Sequence, residues 1–111
     1  MATFEALQVA LELADELGPL IEIIRQHDRD MANQLKKAGT SAPSCLAEGS
    51  LRTGRDRLHL YTIASGSAGE IKVQLRLSVA WSYLTQERAA RAHSLADRVV
   101  AMTFRLTHRR R

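Results

Sequence analysis

The sequence is short of residues that interrupt helices, since its 111 positions include only two prolines and six glycines. It also lacks a clean alternation of apolar and polar residues, which is the pattern of a half-buried strand. Alanine, leucine, arginine and glutamate are abundant instead, and 45% of the residues are hydrophobic, an ordinary share for a globular protein. The composition therefore predicts a single all-α domain over residues 1–111.

Cysteine and long apolar runs are scarce as well. The single cysteine, Cys45, excludes a disulfide within the chain and is typical of a reducing compartment. No basic leader precedes an apolar segment of signal-peptide length, and no stretch reaches the roughly 18 apolar residues of a membrane span. We therefore expect a cytoplasmic protein with no membrane partner.

Charge is distributed unevenly along the chain. Residues 1–30 carry seven acids and two arginines, a net charge of −5. The remainder carries fourteen basic and five acidic residues, a net charge of +9, so that the whole chain has +4. The basic part suits an anionic partner such as nucleic acid, but it equally suits solubility and a basic helix end that complements the helix dipole.

Apolar residues at spacings of three and four predict four helices in an up-down-up-down bundle. Four polar residues stand where helix caps are expected: Thr3, Asp28, Thr53 and Thr85. The predicted helices cover roughly residues 3–26, 28–50, 54–84 and 85–107, with a basic tail at 108–111.

The first helix carries two apolar stripes where one bundle seam needs only one. Phe4, Leu7, Leu11, Ala14, Gly18 and Ile21 form one stripe. Ala6, Ala10, Leu13, Leu17, Leu20 and Ile24 form the other. The wide apolar surface fits an oligomer interface, although a helix deep inside a bundle would have the same pattern.

Two prolines fall within predicted helices. Gly18-Pro19 predicts a kink in the first helix, with a full break as the alternative. Around Pro43 the apolar residues keep their helical phase, which favours one continuous second helix. The alternative is a fresh helix capped by Ser41.

Small residues dominate the middle of the second and third helices, which predicts that their backbones cross closely. One glutamate follows each small-residue segment, Glu48 in the second helix and Glu70 in the third. These glutamates are either buried acids for acid–base work or ligand contact, or acceptors of hydrogen bonds that fix the register of the two helices. We favour the second interpretation.

The sequence gives no pattern of reaction chemistry. A di-iron bundle needs Glu-x-x-His pairs, and no glutamate here has a histidine three residues later. The four histidines fall on separate elements, and Cys45 has no histidine partner. We therefore predict no catalytic residue, no cofactor and no metal site.

Two motifs resemble those of a bacterial family of four-helix-bundle proteins, some of which are encoded in intervening sequences within 23S ribosomal RNA genes. Residues 41–49, SAPSCLAEG, resemble the family signature S-x-P-x-N-I-A-E-G. Residues 60–75, LYTIASGSAGEIKVQL, resemble the segment F-L-x-I-A-x-G-S-x-x-E-L-x-x-Q-L. The similarity marks a structural motif with nine members: Gly39, Ser41, Pro43, Glu48, Gly49, Gly66, Ser67, Glu70 and Gln74.

The resemblance covers roughly residues 31–84 and has departures. Cys45 stands where the family has asparagine, and Gly69 replaces a longer residue. The linker before Asp28 is also more hydrophobic than the usual turn of the family. The resemblance implies a closed ring of bundles, commonly a homopentamer, without enzymatic activity. A related branch, the accessory proteins of diversity-generating retroelements, forms basic pentamers that bind nucleic acid and a reverse transcriptase.

The expected function is therefore that of a homo-oligomeric scaffold or interaction protein, whose further partner is either another protein or RNA or DNA. For nucleic acid, the candidate residues are Arg52, Arg55, Arg57, Arg76, Arg109, Arg110 and Arg111. No aromatic residues alternate with these charges, so contact with the phosphate backbone is expected rather than base stacking. An enzyme is the third class, and it would need a cavity that unites Glu48 and Glu70.

Overall fold

A computed structural model of the chain describes residues 2–108, with side chains from Phe4 onward. These residues form four helices and no strand: α1 (Ala2–Arg25), α2 (Arg29–Ser50), α3 (Gly54–Ala80) and α4 (Gln86–Thr107). Both α1 and α3 pack against α2 and α4, so α1 and α3 lie across a diagonal of the bundle. The short connections make successive helices antiparallel. The described domain measures 45 × 21 × 18 Å, and its all-α, four-helix architecture agrees with the sequence prediction.

The core lies along the bundle axis and takes one apolar stripe from each helix. On α1, this is the stripe of Ala6, Ala10, Leu13, Leu17, Leu20 and Ile24, all of which are buried. Leu35 and Leu46 from α2, Ile71 and Leu75 from α3, and Val99 from α4 fill the space between them. Burial of these side chains is the main stabilising term, at about 1.5–3 kcal/mol for each large one.

Both internal prolines are accommodated without a break in their helices. α1 continues through Pro19, and α2 continues through Pro43, which is itself buried. The unbroken α2 confirms the continuous second helix and excludes a fresh start at Ser41. Apolar packing on both sides of Pro43 compensates for the backbone hydrogen bond that the proline removes.

Two of the expected caps are formed by side chains. Asp28 accepts a hydrogen bond from the Met31 amide at 2.9 Å, and Thr85 accepts one from the Arg88 amide at 3.1 Å. Thr53 stands at the N-cap of α3, but its side chain makes no capping hydrogen bond, so that part of the prediction is wrong.

The third helix ends at Ala80, four residues before the predicted boundary at 84. Ser82 has a φ of 65°, which turns the chain out of the helix, and the Tyr83 and Leu84 amides donate to the Ser78 carbonyl at 2.8 and 3.1 Å. The turn buries Leu84 and stacks Tyr83 against His27 of the α1–α2 connection. Apolar residues after Ala80 thus serve the turn rather than an additional helical turn.

Tyr83 ties together the two connections at this end of the bundle. Its hydroxyl donates to the Asp28 carboxylate at 3.2 Å, while the other oxygen of that carboxylate caps α2. Desolvation and the hydrogen bond to Asp28 raise the pKa of Tyr83 above its ordinary value. The α3–α4 turn therefore supports the start of α2.

Among the glycines of α2 and α3, Gly49 marks the closest approach of the two helices, while their small-residue centres meet through the Ser41 and Ser67 hydroxyls, 3.0 Å apart. A Cβ on Gly49 would lie 2.7 Å from Cε1 of Tyr61, so that position has no room for a side chain. Gly39 faces α1 instead, where a Cβ would lie 3.0 Å from a methyl group of Leu17. Gly66 is exposed with open space at its Cβ position, which shows that the centre of α3 does not require glycine for packing.

Replacing Gly49 with alanine tests this close approach. We expect Gly49→Ala to destabilise the fold by about 1–3 kcal/mol, because the new methyl group meets the buried Tyr61 ring. Gly69→Ala is the matched control in α3, since a Cβ there meets nothing within 4 Å. The control should be neutral or stabilising by up to about 1 kcal/mol. Urea unfolding at equal protein concentration measures both, and equal effects of the two substitutions would contradict the close contact.

Candidate interaction surfaces

A polar link joins the middles of α2 and α3. Ser67 donates a hydrogen bond to the Ser41 hydroxyl at 3.0 Å, and the Cys45 sulfur lies 3.7 Å from that same hydroxyl oxygen. All three side chains are half-buried, and Cys45 packs against the apolar core. Ser41 and Ser67, two of the nine motif residues, thus connect the two helices at one point, with Cys45 beside Ser41 on α2.

A second polar link lies closer to the start of α2. The Gln74 amide nitrogen donates to Oε1 of Gln34 at 2.9 Å and to the Glu70 carboxylate at 3.1 Å. Gln74 is buried, and its Oε1 has no hydrogen-bond partner among the described residues. An unpaired buried acceptor costs about 1–3 kcal/mol, so this position trades stability for a defined pairing of α2 with α3.

The two motif glutamates are exposed, which contradicts their interpretation as buried acids. Glu48 forms an ion pair with Arg52 one turn away, at 2.8 Å, and Glu70 accepts from Gln74 on its own helix. Neither glutamate therefore bonds directly across the α2–α3 contact, because the serines and glutamines already occupy it. Neither lines either of the two grooves described below.

One apolar face of α1 remains uncovered. Phe4 is 59% exposed and Leu11 is 47% exposed, while Leu7 and Ala14 of the same stripe are half-buried. Gly18 continues the stripe and lines a shallow groove of about 230 Å³ against Lys36, Gly39 and Thr40 of α2. Of the two stripes in the sequence, one lies wholly in the core, while the other lies largely on the surface from Phe4 to Gly18 and is buried at Ile21. The other large apolar side chains that are exposed are Leu51, Leu58, Ile63, Val73, Trp81 and Phe104.

The candidate arginines around the α2–α3 turn have different surroundings. Arg52 is paired with Glu48, and Arg57 donates to the carbonyls of Gly49 and Ser50 at the end of α2. Arg55 is exposed and takes part in none of the ion pairs among the described residues. Arg109, Arg110 and Arg111 lie outside the described residues.

Arg76 is separated from the other candidate arginines, near the opposite end of the bundle. It lines an open groove of about 780 Å³ between α3 and α4, and it has no ion-pair partner among the described residues. Small and apolar residues form much of the groove: Leu75, Val79, Ala80, Ala89 and Ala90. Polar residues of α4 complete it: Gln86, His93, Ser94 and Asp97.

An ion pair fixes one edge of this groove. Lys72 donates to the Asp97 carboxylate at 2.6 Å. This hydrogen bond and the lysine charge lower the pKa of Asp97 below its ordinary value, with a smaller contribution from His93. The groove was not predicted from the sequence, although the i, i+4 pairs Lys72/Arg76 and His93/Asp97 are visible there.

The described residues contain no group of three or more metal-ligating side chains. None of the helices in residues 2–108 is long and apolar enough to cross a membrane. Cys45 contacts a serine rather than a histidine, and His27 and His108 stack on Tyr83 and Phe104. The available chemistry is that of surfaces: an apolar helix face, a groove with one unpaired cation, and a basic turn.

These features define a small four-helix-bundle protein whose polar motif residues link two helices. The family model described as "23S rRNA-intervening sequence protein" matches residues 2–105. The chain belongs to this family, as the two motifs indicated.

A solved structure shows the same fold. It is that of a protein of unknown function from the S23 ribosomal protein family of Bacteroides thetaiotaomicron. The two proteins are 21% identical, with a TM-score of 0.88 over 96% of this chain and 98% of the other. A search of curated proteins found no match.

The Lys72–Asp97 pair provides a test by titration. We expect Lys72→Met to raise the pKa of Asp97 toward its ordinary value, because the hydrogen bond and the positive charge are both lost. Carboxyl NMR titration measures the change, with Lys37→Met on α2 as the control that should leave Asp97 unchanged.

The sign of the effect on stability follows from the lowered pKa. The pair stabilises the fold above the ordinary pKa of aspartate, and its contribution disappears as the pH falls through the lowered value. The difference in stability between wild type and Lys72→Met should therefore shrink on acidification. An Asp97 titration that Lys72→Met does not alter would contradict the ion pair.

Proposed function

We propose that this protein is a non-enzymatic scaffold that assembles into a closed ring of identical four-helix bundles in the cytoplasm. The observation that carries the proposal is the uncovered apolar face of α1. The α1 helix already has a complete core stripe, and it carries a second apolar stripe of Phe4, Leu7 and Leu11. Such an additional stripe is typical of a contact surface between chains. The resemblance to ring-forming relatives suggests five copies.

The exposed motif glutamates support a non-enzymatic role. Glu48 is held by Arg52 and Glu70 by Gln74, and neither lines a groove with a possible reaction partner. The motif residues instead pair α2 with α3, which is a structural task. A scaffold needs a rigid bundle with uncovered surfaces, and this arrangement provides both.

Placing a charge on the α1 face tests the assembly. We expect wild type to have the mass of several chains and Leu11→Glu to have that of one, because a carboxylate in an apolar interface costs several kcal/mol. Leu11 is half-exposed in the bundle, so the circular dichroism of the helices should change little. Gln26→Glu adds the same charge in the exposed α1–α2 connection and should leave the mass unchanged.

Light scattering over a range of concentrations measures the mass of each variant. A wild-type mass of one chain at all concentrations would overturn the assembly. If Leu11→Glu remained multimeric, the α1 face would not be the contact between chains. The uncovered apolar face of α1 would then no longer support the proposed assembly.

Binding of RNA or DNA is the second candidate function, and the position of Arg55 favours it. In an up-down bundle the α2–α3 turn and the C-terminal end of α4 lie at the same end. Arg55 is thus placed at the end toward which the chain segment His108–Arg111 leads. Arg52 and Arg57 add charge nearby, although both also bond within the chain. Such a cluster fits contacts to phosphates without base recognition.

The salt dependence of binding distinguishes this role. We expect the wild-type affinity for a short RNA duplex to fall steeply with salt, and Arg55→Gln to reduce the slope by about one. Arg29→Gln removes an exposed arginine at the other end of the bundle and is the matched control. Equal slopes for wild type and both variants would exclude Arg55 from nucleic-acid contact. If the wild type did not bind the RNA duplex at low salt, nucleic acid would be excluded as the partner, and another protein would remain as the candidate.

A further inference from the structure

The two grooves described above lie on opposite faces of the bundle. One is formed by α1 and α2, and the other by α3 and α4. Because the helices contact one another in the cyclic order α1, α2, α3, α4, the α1/α2 face and the α3/α4 face point in opposite directions. Suppose that the α1/α2 face of one copy contacts the α3/α4 face of another. The pair then still has one free α3/α4 face, on the first copy, and one free α1/α2 face, on the second.

Exposed apolar residues on the α1/α2 face lie along the N-terminal half of α1. Gly18 lines its groove, and Leu11 and Phe4 precede Gly18 by seven and fourteen residues, about two and four helical turns. The three residues therefore share one side of α1. Glu22 lines the same groove, about one turn beyond Gly18. It pairs with Arg25 at 3.5 Å, but its side chain remains 70% exposed.

On the α3/α4 face, Arg76 takes the place that Glu22 has on the α1/α2 face. Each groove also contains one charge of the other sign, Lys36 in the α1/α2 groove and Asp97 in the α3/α4 groove, and Asp97 is paired with Lys72. The α3/α4 groove contains the unpaired Arg76 over apolar residues. Leu58 precedes Arg76 by 18 residues, about five helical turns, and is 47% exposed on the same side of α3. Phe104 follows His93 by 11 residues, about three turns, and is 54% exposed. Both faces thus have exposed apolar residues toward one end and a charge toward the other.

The charges lie at matching heights. Glu22 is three residues from the end of α1 and Arg76 is four residues from the end of α3, and both helices end at the same end of the bundle. At 1.5 Å per residue, each charge lies about 5 Å from that end. Two parallel copies placed side by side would therefore bring Glu22 of one near Arg76 of the other, with Phe4 near the level of Leu58 and Phe104.

We infer that the groove between α3 and α4 receives α1 of a second copy of this chain, with Glu22 facing Arg76. This inference rests on the proposed assembly and adds its contact. Because the two faces are opposite and different, the contact is heterologous, so that each chain docks on one neighbour and receives another. Repetition of such a contact closes into a ring when the rotation per copy permits.

Cross-linking gives the sharpest test. Gly18 and Ser94 line the two grooves, seven residues from the end of α1 and eight from the start of α4, and therefore lie at similar heights. In a Cys45→Ala background, we expect Gly18→Cys/Ser94→Cys to form a ladder of linked chains on mild oxidation. The two positions are on opposite faces, so a bond within one chain is excluded. Each single-cysteine variant should stop at a linked dimer or remain a monomer.

Charge exchange tests the same contact without cysteines. Arg76→Glu and Glu22→Arg should each weaken assembly at low salt by about tenfold or more, and the double variant should recover most of the loss. Arg98→Glu is the matched control, because Arg98 is exposed on α4 and does not line the groove. Light scattering and sedimentation measure the dissociation of each variant.

The outcomes separate the inference from the proposed function. A multimeric wild type that gives no ladder, or that ignores the charge exchange, would overturn the pairing of α1 with the groove while the assembly stands. A monomeric wild type would overturn both the pairing of α1 with the groove and the proposed assembly. A ladder from the double-cysteine variant together with charge rescue supports the pairing, and the highest band would count the chains in a closed ring.

Discussion

The contact between α2 and α3 is the constraint on which the rest of the structure depends. Gly49 lets the Tyr61 ring pack against the α2 backbone, while Ser41–Ser67 and Gln34–Gln74 hold the helices in one register. Each of these pairs has one member on each helix, so a shift by one residue would separate all of them. The arrangement of α2 and α3 also determines the positions of α1 and α4. This is because α1 is connected to α2 and packs against it, while α4 is connected to α3 and packs against it.

The polar pairs do this at some cost. Gln74 keeps an unpaired acceptor in a buried place, where an apolar side chain would leave none. Buried polar groups can define a unique arrangement even where they reduce stability, and the best-attested cases fix the register between helices. The small hydroxyls of Ser41 and Ser67 serve the same purpose with less desolvation. This division explains why Ser41, Ser67 and Gln74 lie on the α2–α3 side and not in the centre of the apolar core.

Much of the fold could be predicted from the sequence because its apolar periodicity is strong. The continuous α2 through Pro43 followed from helical phase, and the core stripe of α1 is buried as a stripe. The end of α3 could not be predicted, because Trp81 to Leu84 look helical in composition while the positive φ of Ser82 depends on tertiary packing. The prediction that Glu48 and Glu70 accept hydrogen bonds across the α2–α3 contact was also wrong, since the side of a helix that a neighbour covers depends on the crossing geometry. The α3/α4 groove is a property of two helices together, and Leu75 is the one lining residue that belongs to either motif.

The connectivity also has a consequence for how the domain folds. Three of the four helix contacts join neighbours in the chain, across connections of only a few residues, and these cost little loop-closure entropy. Among these helix contacts, the one between α1 and α4 joins the two most distant parts of the sequence, aided at the surface by Arg91 with Glu12 and Glu16. A chain with mostly local contacts folds quickly. Loop-closure entropy then predicts that the α1–α4 seam closes last, so the final step of folding is also the one that fixes the position of α1 in the bundle.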